Sequence, residues 1–241
     1  MPLPRMTGEI ERRLLVNYAV DPAALTGLLP GRFRPHLVGG VAVAGVCLIR
    51  LGGLRPRWAP RAVGLTSENA AHRIAVEWDG VDGVQSGVFI PERHSASRLT
   101  VLLGGRLFPG AHQPARFSVR ETETDLQVAF TSMDRRVEVD VHVSIEQSLE
   151  RSRLFANVDE ASRFFEQGSV GFSPSRDERR LEAVGLTTHA WRVEPCRALH
   201  ARSTFFEDER FGDGAARLDS ALVMRRVPVV WDALHVAASS S

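Results

Sequence analysis

The chain reads as a mainly β (α+β) protein, an antiparallel barrel or sandwich with a few helices appended. Three features carry that expectation. Roughly ten strand-like segments stand against only three short helical ones. The middle of the chain reads as a meander with clean two-residue alternation. No composition shift marks a linker and no repeat period is visible, so residues 1–241 are expected to form one domain, with about 237–241 a frayed polar tail.

Arg12 to Ala19 is the first strand; Asp21-Pro22 then supplies a cap and a first-turn proline for a short helix that stops near Pro30. Gly40 to Leu51 is apolar at nearly every position, as a strand buried from both sides requires. Arg55 to Gly64 holds two prolines and a tryptophan and reads as a loop. Thr66 to Trp78 is a long strand that turns at Asp79-Gly80 and Asp82-Gly83 into Gln85 to Ile90, a hairpin. Ser95 can cap a helix bearing Leu99, Leu102 and Leu103 at helical spacing, ended by Gly104-Gly105.

Arg116 to Arg120, Leu126 to Thr131 and Arg136 to Ser144 form the meander. In the last of these Val137, Val139, Val141 and Val143 share one face, with Glu138, Asp140 and His142 on the other. Val158 to Gln167 is an amphipathic helix, and Thr188 to Val193, Leu199 to Phe205, Arg217 to Met224 and Val227 to Leu234 read as further strands.

Composition excludes more chemistry than it includes. All 30 basic residues are arginine. Codon bias in a GC-rich genome is the bland cause, but without lysine the chain offers no side-chain amine for a Schiff base and no P-loop lysine. A formal net charge of +1 gives no electrostatic reason to expect nucleic acid or a membrane surface as partner. No apolar run is long enough to span a bilayer, no signal-like segment opens the chain, and the only cysteines are Cys47 and Cys196. A disulfide scaffold is therefore not expected, and the cytoplasm is the default location. HExxH, CxxC, GxGxxG after a strand and GxSxG are all missing, so no metal, nucleotide or other cofactor is expected.

What remains is the Thr66 to Trp78 strand. Its more apolar face carries Glu68 and His72 together with Ala70, Ile74, Val76 and Trp78. A carboxylate delivered to an apolar interior must be paired or have its pKa raised, and either outcome suits it to proton transfer or substrate contact. Glu68 and His72 are thus the candidate catalytic residues. An internal ion pair with one of the arginines, and a hydrogen-bonded core histidine, stand beside that reading. Arg50, on a face with Val46 and Leu48, either meets Glu68 or waits for an anionic ligand. Arg93, Arg98 and Arg106 flank the first long helix and carry less weight, since surface arginines usually do nothing specific.

The blocks RRLLVNYAVDPAALTGLLPGRFRP, GVAVAGVCLIRLGGLRP, SENAAHRIAVEWDG, GVFIPERHSASRLTVLLGGRLFPGAH, FFEQGSVGFS and WRVEP resemble the family called domain of unknown function 2071, over nearly the whole chain. That family is similar in turn to the acetoacetate-decarboxylase superfamily. The resemblance implies an acetoacetate-decarboxylase-like antiparallel β-barrel or cone around a small-molecule cavity, with a few peripheral helices. In the decarboxylases a Phe-Pro precedes the paired catalytic lysines. Here Phe108 and Pro109 match, but Gly110 and Ala111 stand where the lysines would be, followed by His112. The superfamily's pocket carboxylate falls near Glu68, and its N-terminal pocket arginine near Glu11 to Arg13, in a register left open.

The expected function is a non-imine lyase, isomerase or cyclase that acts by general acid/base catalysis on a small keto or carboxylic acid. Glu68 and His72 would be catalytic, with Arg50, Arg106, Phe108 and His112 binding substrate. A non-catalytic small-molecule binding barrel and a structural protein with a filled barrel are the alternatives. Strand edges could pair into a homo-oligomer, but nothing in the sequence locates such an edge.

Overall fold

The computed structural model describes residues 5–103, 110–149, 151–176, 180–212 and 214–234. In chain order these hold β1 (Met6–Val20), α1 (Pro22–Leu25), β2 (Arg34–Pro35), β3 (Leu37–Val38), β4 (Val41–Pro56), β5 (Leu65–Gly80) and β6 (Gly83–Ser95). Then follow α2 (Arg98–Leu103), β7 (Gln113–Glu121), β8 (Asp125–Ser132), β9 (Glu138–Ile145), α3 (Val158–Gln167), β10 (Val170–Pro174), β11 (Leu181–Thr187), β12 (Glu194–Ser203) and β13 (Ala216–Leu234). All thirteen strands belong to one sheet, and the mainly β expectation holds.

The sheet closes on itself twice. β5, β6, β10, β11, β13, β1 and β4 pair in a circuit, and β6, β7, β8, β9, β12 and β13 complete a second one through the same central strands. β13, β1, β4, β5 and β6 are therefore a wall between two interiors, and in the middle of β1, β4, β5 and β13 both faces are buried. That is why Gly40 to Leu51 shows no polar face. On one side Leu14, Leu48, Ala70 and Ile74 join Val128, Phe130, Val141 and Val143 in the main core. On the other side Leu15, Cys47, Ala71 and Ala75 pack against Phe155, Ala161 and Phe165.

Local chemistry explains the helices. Asp21 caps α1 by accepting from the Ala23 amide at 2.9 Å, with Pro22 in the first turn. Asn157 caps α3, Asp159 and Glu160 sit in its first turn, and Ala161 and Phe165 face the sheet. β9 alternates as its sequence requires, with Val137, Val139, Val141 and Val143 all buried. Among the described residues, no helix is long and apolar enough to cross a membrane.

Several expectations need correction. Ser97, not Ser95, caps α2 through the Thr100 amide, because the Ser95 hydroxyl is engaged by Asn69 and the Ser97 amide. Leu99 and Leu102 of α2 are exposed and Thr100 is buried, so its leucine spacing does not mark a core face. Gly104 and Gly105 lie outside the described residues. Thr188 to Val193 is irregular; the strand lies earlier, as β11, and pairs with β10 and β13. The two C-terminal strands are one, β13, with Arg226 at φ 54 inside it. Two short parallel pairings, β6 with β7 and β6 with β10, interrupt the antiparallel order.

Candidate functional site

On the Glu68 side of the wall the charged side chains pair with one another. Arg12 Nη2 donates to Glu68 at 2.5 Å and Arg50 Nη1 donates to the other oxygen at 3.0 Å, so each carboxylate oxygen meets a guanidinium. Arg50 also binds Glu11, and Arg12 also binds Glu121, which in turn meets Arg225. Glu68 and Arg50 are thus brought together as one of the two sequence alternatives foresaw. His72 lies four residues along the same face at 0% exposure, stacked on Phe205 with ring centroids 4.4 Å apart.

The cavity is on the opposite side. It measures about 150 Å³ and is walled by Ile49, Leu51, Ile90, Val184 and Leu186. Into this apolar space project Arg13 from β1, Arg73 from β5 and Arg93 from β6, and no Asp or Glu is among the described lining residues. Glu68 and His72 lie on the face of β5 opposite Arg73, while the cavity wall takes Asn69, Ala70, Ala71 and Arg73 of β5 and His94 of β6.

Backbone geometry makes room for these cations. Gly45 on β4 lies so close to β1 that an added Cβ would sit 2.3 Å from the Val16 carbonyl oxygen and 3.2 Å from Arg73 Nη2. Arg73 donates to Asn17 Oδ1 and, at 3.1 Å, from Nε to Cys47 Sγ, while its guanidinium covers the Phe165 ring at 4.5 Å. Its Nη1 is buried without a partner, as is Nε of Arg13. Arg13 reaches Cys47 Sγ at 3.7 Å. Arg93 donates from Nε to the Ser173 hydroxyl at 2.8 Å, and burial pulls its pKa down to about 10.

Cys47 feels both neighbours. Burial pushes its thiol pKa up, but the charges and hydrogen bonds of Arg13 and Arg73 outweigh burial and hold it below the ordinary value. At Cys196 burial outweighs the charge of Arg225 and pushes the thiol up to about 12. Neither cysteine is in a disulfide.

His112 is the one sequence-named ligand-binding residue found in the cavity wall. Burial, and then the charge of Arg93, depress its imidazole to about 3. It follows Gly110, whose amide donates to Glu182 at 2.6 Å at a backbone φ of 79 that favours glycine. Arg106 and Phe108 lie outside the described residues. Sequence reasoning missed Arg73 and Cys47 as site residues, left Arg13 within an open register of Glu11 to Arg13, and ranked Arg93 low. The available signal was the doubly apolar strand Gly40 to Leu51, which implies an interior on either side of its neighbours.

The family model for an uncharacterised conserved protein, domain of unknown function 2071, matches residues 7–228. The chain belongs to that family. No curated protein sequence matches. Among solved structures it is similar to acetoacetate decarboxylase from Legionella pneumophila subsp. pneumophila str. Philadelphia 1, with a TM-score of 0.60 and 11% identity, over 97% of this chain and 88% of that one. An acetoacetate decarboxylase-like enzyme from Sphingomonas wittichii RW1 gives a TM-score of 0.61 at 12% identity, over 98% and 94%. The enduracididine biosynthesis enzyme MppR, complexed with pyruvate, gives 0.60 at 15% identity, over 97% and 89%. Identities this low establish the fold: this family member has the acetoacetate-decarboxylase-like architecture, as the sequence resemblance implies.

Proposed function

We propose that this protein takes a small carboxylic or keto acid into the arginine-lined cavity and acts on it without forming an imine. One observation carries the reading: three guanidiniums enter an apolar cavity to which no carboxylate contributes. The counter-charges near these guanidiniums are Cys47 and, for Arg93, Glu182, fewer than the three cations, so an anion is favoured, and arginine forks suit a carboxylate. A cavity of about 150 Å³ suits a benzene-sized molecule. MppR, a relative in fold, is described with pyruvate bound, which agrees in size and charge.

The sequence contains no lysine, so a side-chain amine plays no part. The group assigned here to move a proton is Cys47, whose thiol is held below its ordinary value beside Arg13 and Arg73. As a thiolate it takes a proton from the carbon beside the substrate carbonyl and becomes a thiol, while the electron pair moves onto the carbonyl oxygen as an enolate held by the arginines. A second reading, binding alone, is favoured by the contacts of both Arg13 and Arg73 with Cys47 Sγ, which leave the sulfur little freedom.

Calorimetry with pyruvate and slightly larger keto acids tests the binding. Saturable uptake should weaken about 10- to 100-fold in Arg73→Met. Binding untouched by both Arg13→Met and Arg73→Met overturns the reading. Proton exchange of the bound keto acid in heavy water, followed by NMR, separates the two versions. Exchange lost in Cys47→Ser supports catalysis, and a ligand that binds without exchanging supports a binding barrel.

A further inference from the structure

On the face of β5 that carries Glu68, His72 faces Glu92 of β6 across the hairpin, and His94 follows two residues on. The ligating atoms of the three lie within 4.8 Å of one another. His72 and His94 are both 0% exposed and Glu92 is partly buried. Among the described residues, four of their polar atoms have no hydrogen-bond partner: Nδ1 of His72, Nδ1 and Nε2 of His94, and Oε2 of Glu92. Buried polar atoms are normally satisfied, and two adjacent imidazoles with a carboxylate, all under-bonded, need a shared explanation.

We propose that His72, Glu92 and His94 form a binding site for a borderline divalent transition cation, of the zinc or ferrous iron type. The donor set is two imidazole nitrogens and one carboxylate oxygen, which such ions favour and calcium or magnesium do not. His72 is already oriented for the task. Its Nε2 lies 3.0 Å from the Ser203 hydroxyl, so that nitrogen can donate outward and leave Nδ1 as the ligand. Donor atoms of a tetrahedral zinc stand about 3.4 Å apart, so side-chain rotations of about 1 Å would close the triad. Phe130, Phe205 and Phe206 pack around the His72 ring and exclude water from that side. His94 belongs also to the cavity wall, but the proposal stands on the triad alone and is independent of what the cavity binds.

The test uses the full chain, stripped with a chelator and then titrated with Zn(II) and, separately, with Co(II). One equivalent of zinc should be retained through equilibrium dialysis, and cobalt should develop the visible bands of a low-coordinate nitrogen and oxygen site. Glu92→Gln, at a position that is not fully buried, should keep the fold and weaken zinc at least about 10- to 100-fold. His94→Phe, checked by thermal melting in the absence of metal, should do the same. Uptake below about one-tenth of an equivalent, or uptake equal in wild type and Glu92→Gln, overturns the proposal.

Discussion

The two faces of the central wall carry the same residue type in opposite circumstances. On the Glu68 face, Glu11, Arg50, Glu68, Arg12, Glu121 and Arg225 form an unbroken chain of ion pairs in which charges alternate and cancel. On the hollow face, Arg13, Arg73 and Arg93 share the cavity with no acidic lining residue. Burial alone therefore does not distinguish a structural arginine from one available to a ligand. The presence of a built-in counter-charge does. Glu68, the most conspicuous acid in the sequence, thus meets arginine at both oxygens, whereas Cys47 across the sheet is the group next to the cavity arginines.

The largest test of that contrast compares one variant from each face. Arg12→Met leaves Glu68 to Arg50 and Glu121 to Arg225, and breaking a buried pair on one side should lower the unfolding free energy by about 3–5 kcal/mol. Arg73→Met exchanges an under-compensated cation for an apolar chain of similar length and should cost less than about 1 kcal/mol. Urea denaturation reads both. Equal losses would erase the distinction drawn between the faces.

A smaller effect, but a more local one, is the ionisation of Cys47. Its ultraviolet thiolate band should titrate below the ordinary thiol value of about 8.5, and Arg13→Met should move it upward. Cys47→Ser should abolish the band near neutrality, because Cys196 is held at about 12. A depressed folded value means that the stabilisation is complete above the ordinary thiol pKa and disappears as pH falls through the folded one. Saturating carboxylate, by occupying the guanidiniums, should raise the Cys47 value. No response to ligand would separate the sulfur from the anion site.

Much of the fold was legible because periodicity survives wherever one face meets water. The valines of β9 and the cap of α3 at Asn157 follow directly from such patterns. β5 was legible as a strand but not as to its open side, since both of its faces are interior and parity carries no polarity. The turn at Asp79-Gly80 fixes a register in which Gly80 pairs with Gly83 and Ile74 with Phe89. Counting on from there puts His72 opposite Pro91, one residue from the Glu92 it meets. A bulge past Ile74 supplies that last residue, and nothing in the sequence announces it. β11 was missed because β-branched Thr187-Thr188 drew the strand forward into a segment without a pairing partner. The ion-pair chain joins residues from β1, β4, β5, β7 and β13, so only the closed sheet reveals it.

The smallest expected effect asks whether the hollow face repels positive charge. His112 has an ordinary imidazole value of 6.5 and a folded value of about 3, set first by burial and then by Arg93. Below about pH 6.5 the unfolded chain takes up a proton that the folded chain refuses, so stability is retained above that pH and lost as pH falls toward 3. Replacing His112 by Phe should flatten the dependence by about 1 kcal/mol per pH unit at most, in urea midpoints compared between pH 6 and 5. His72 and His94, held at about 3 and about 4, contribute to the same wild-type slope, so the difference between wild type and variant is the quantity to read. A bound carboxylate beside Arg93 should shrink that difference, because it removes part of the repulsion that keeps His112 neutral. The ion-paired face contains its own neutralising charges, so the same ligand has no cation there left to satisfy. A His112→Phe slope unchanged by saturating carboxylate would mean that the anion, wherever it binds, does not share the cavity with Arg93.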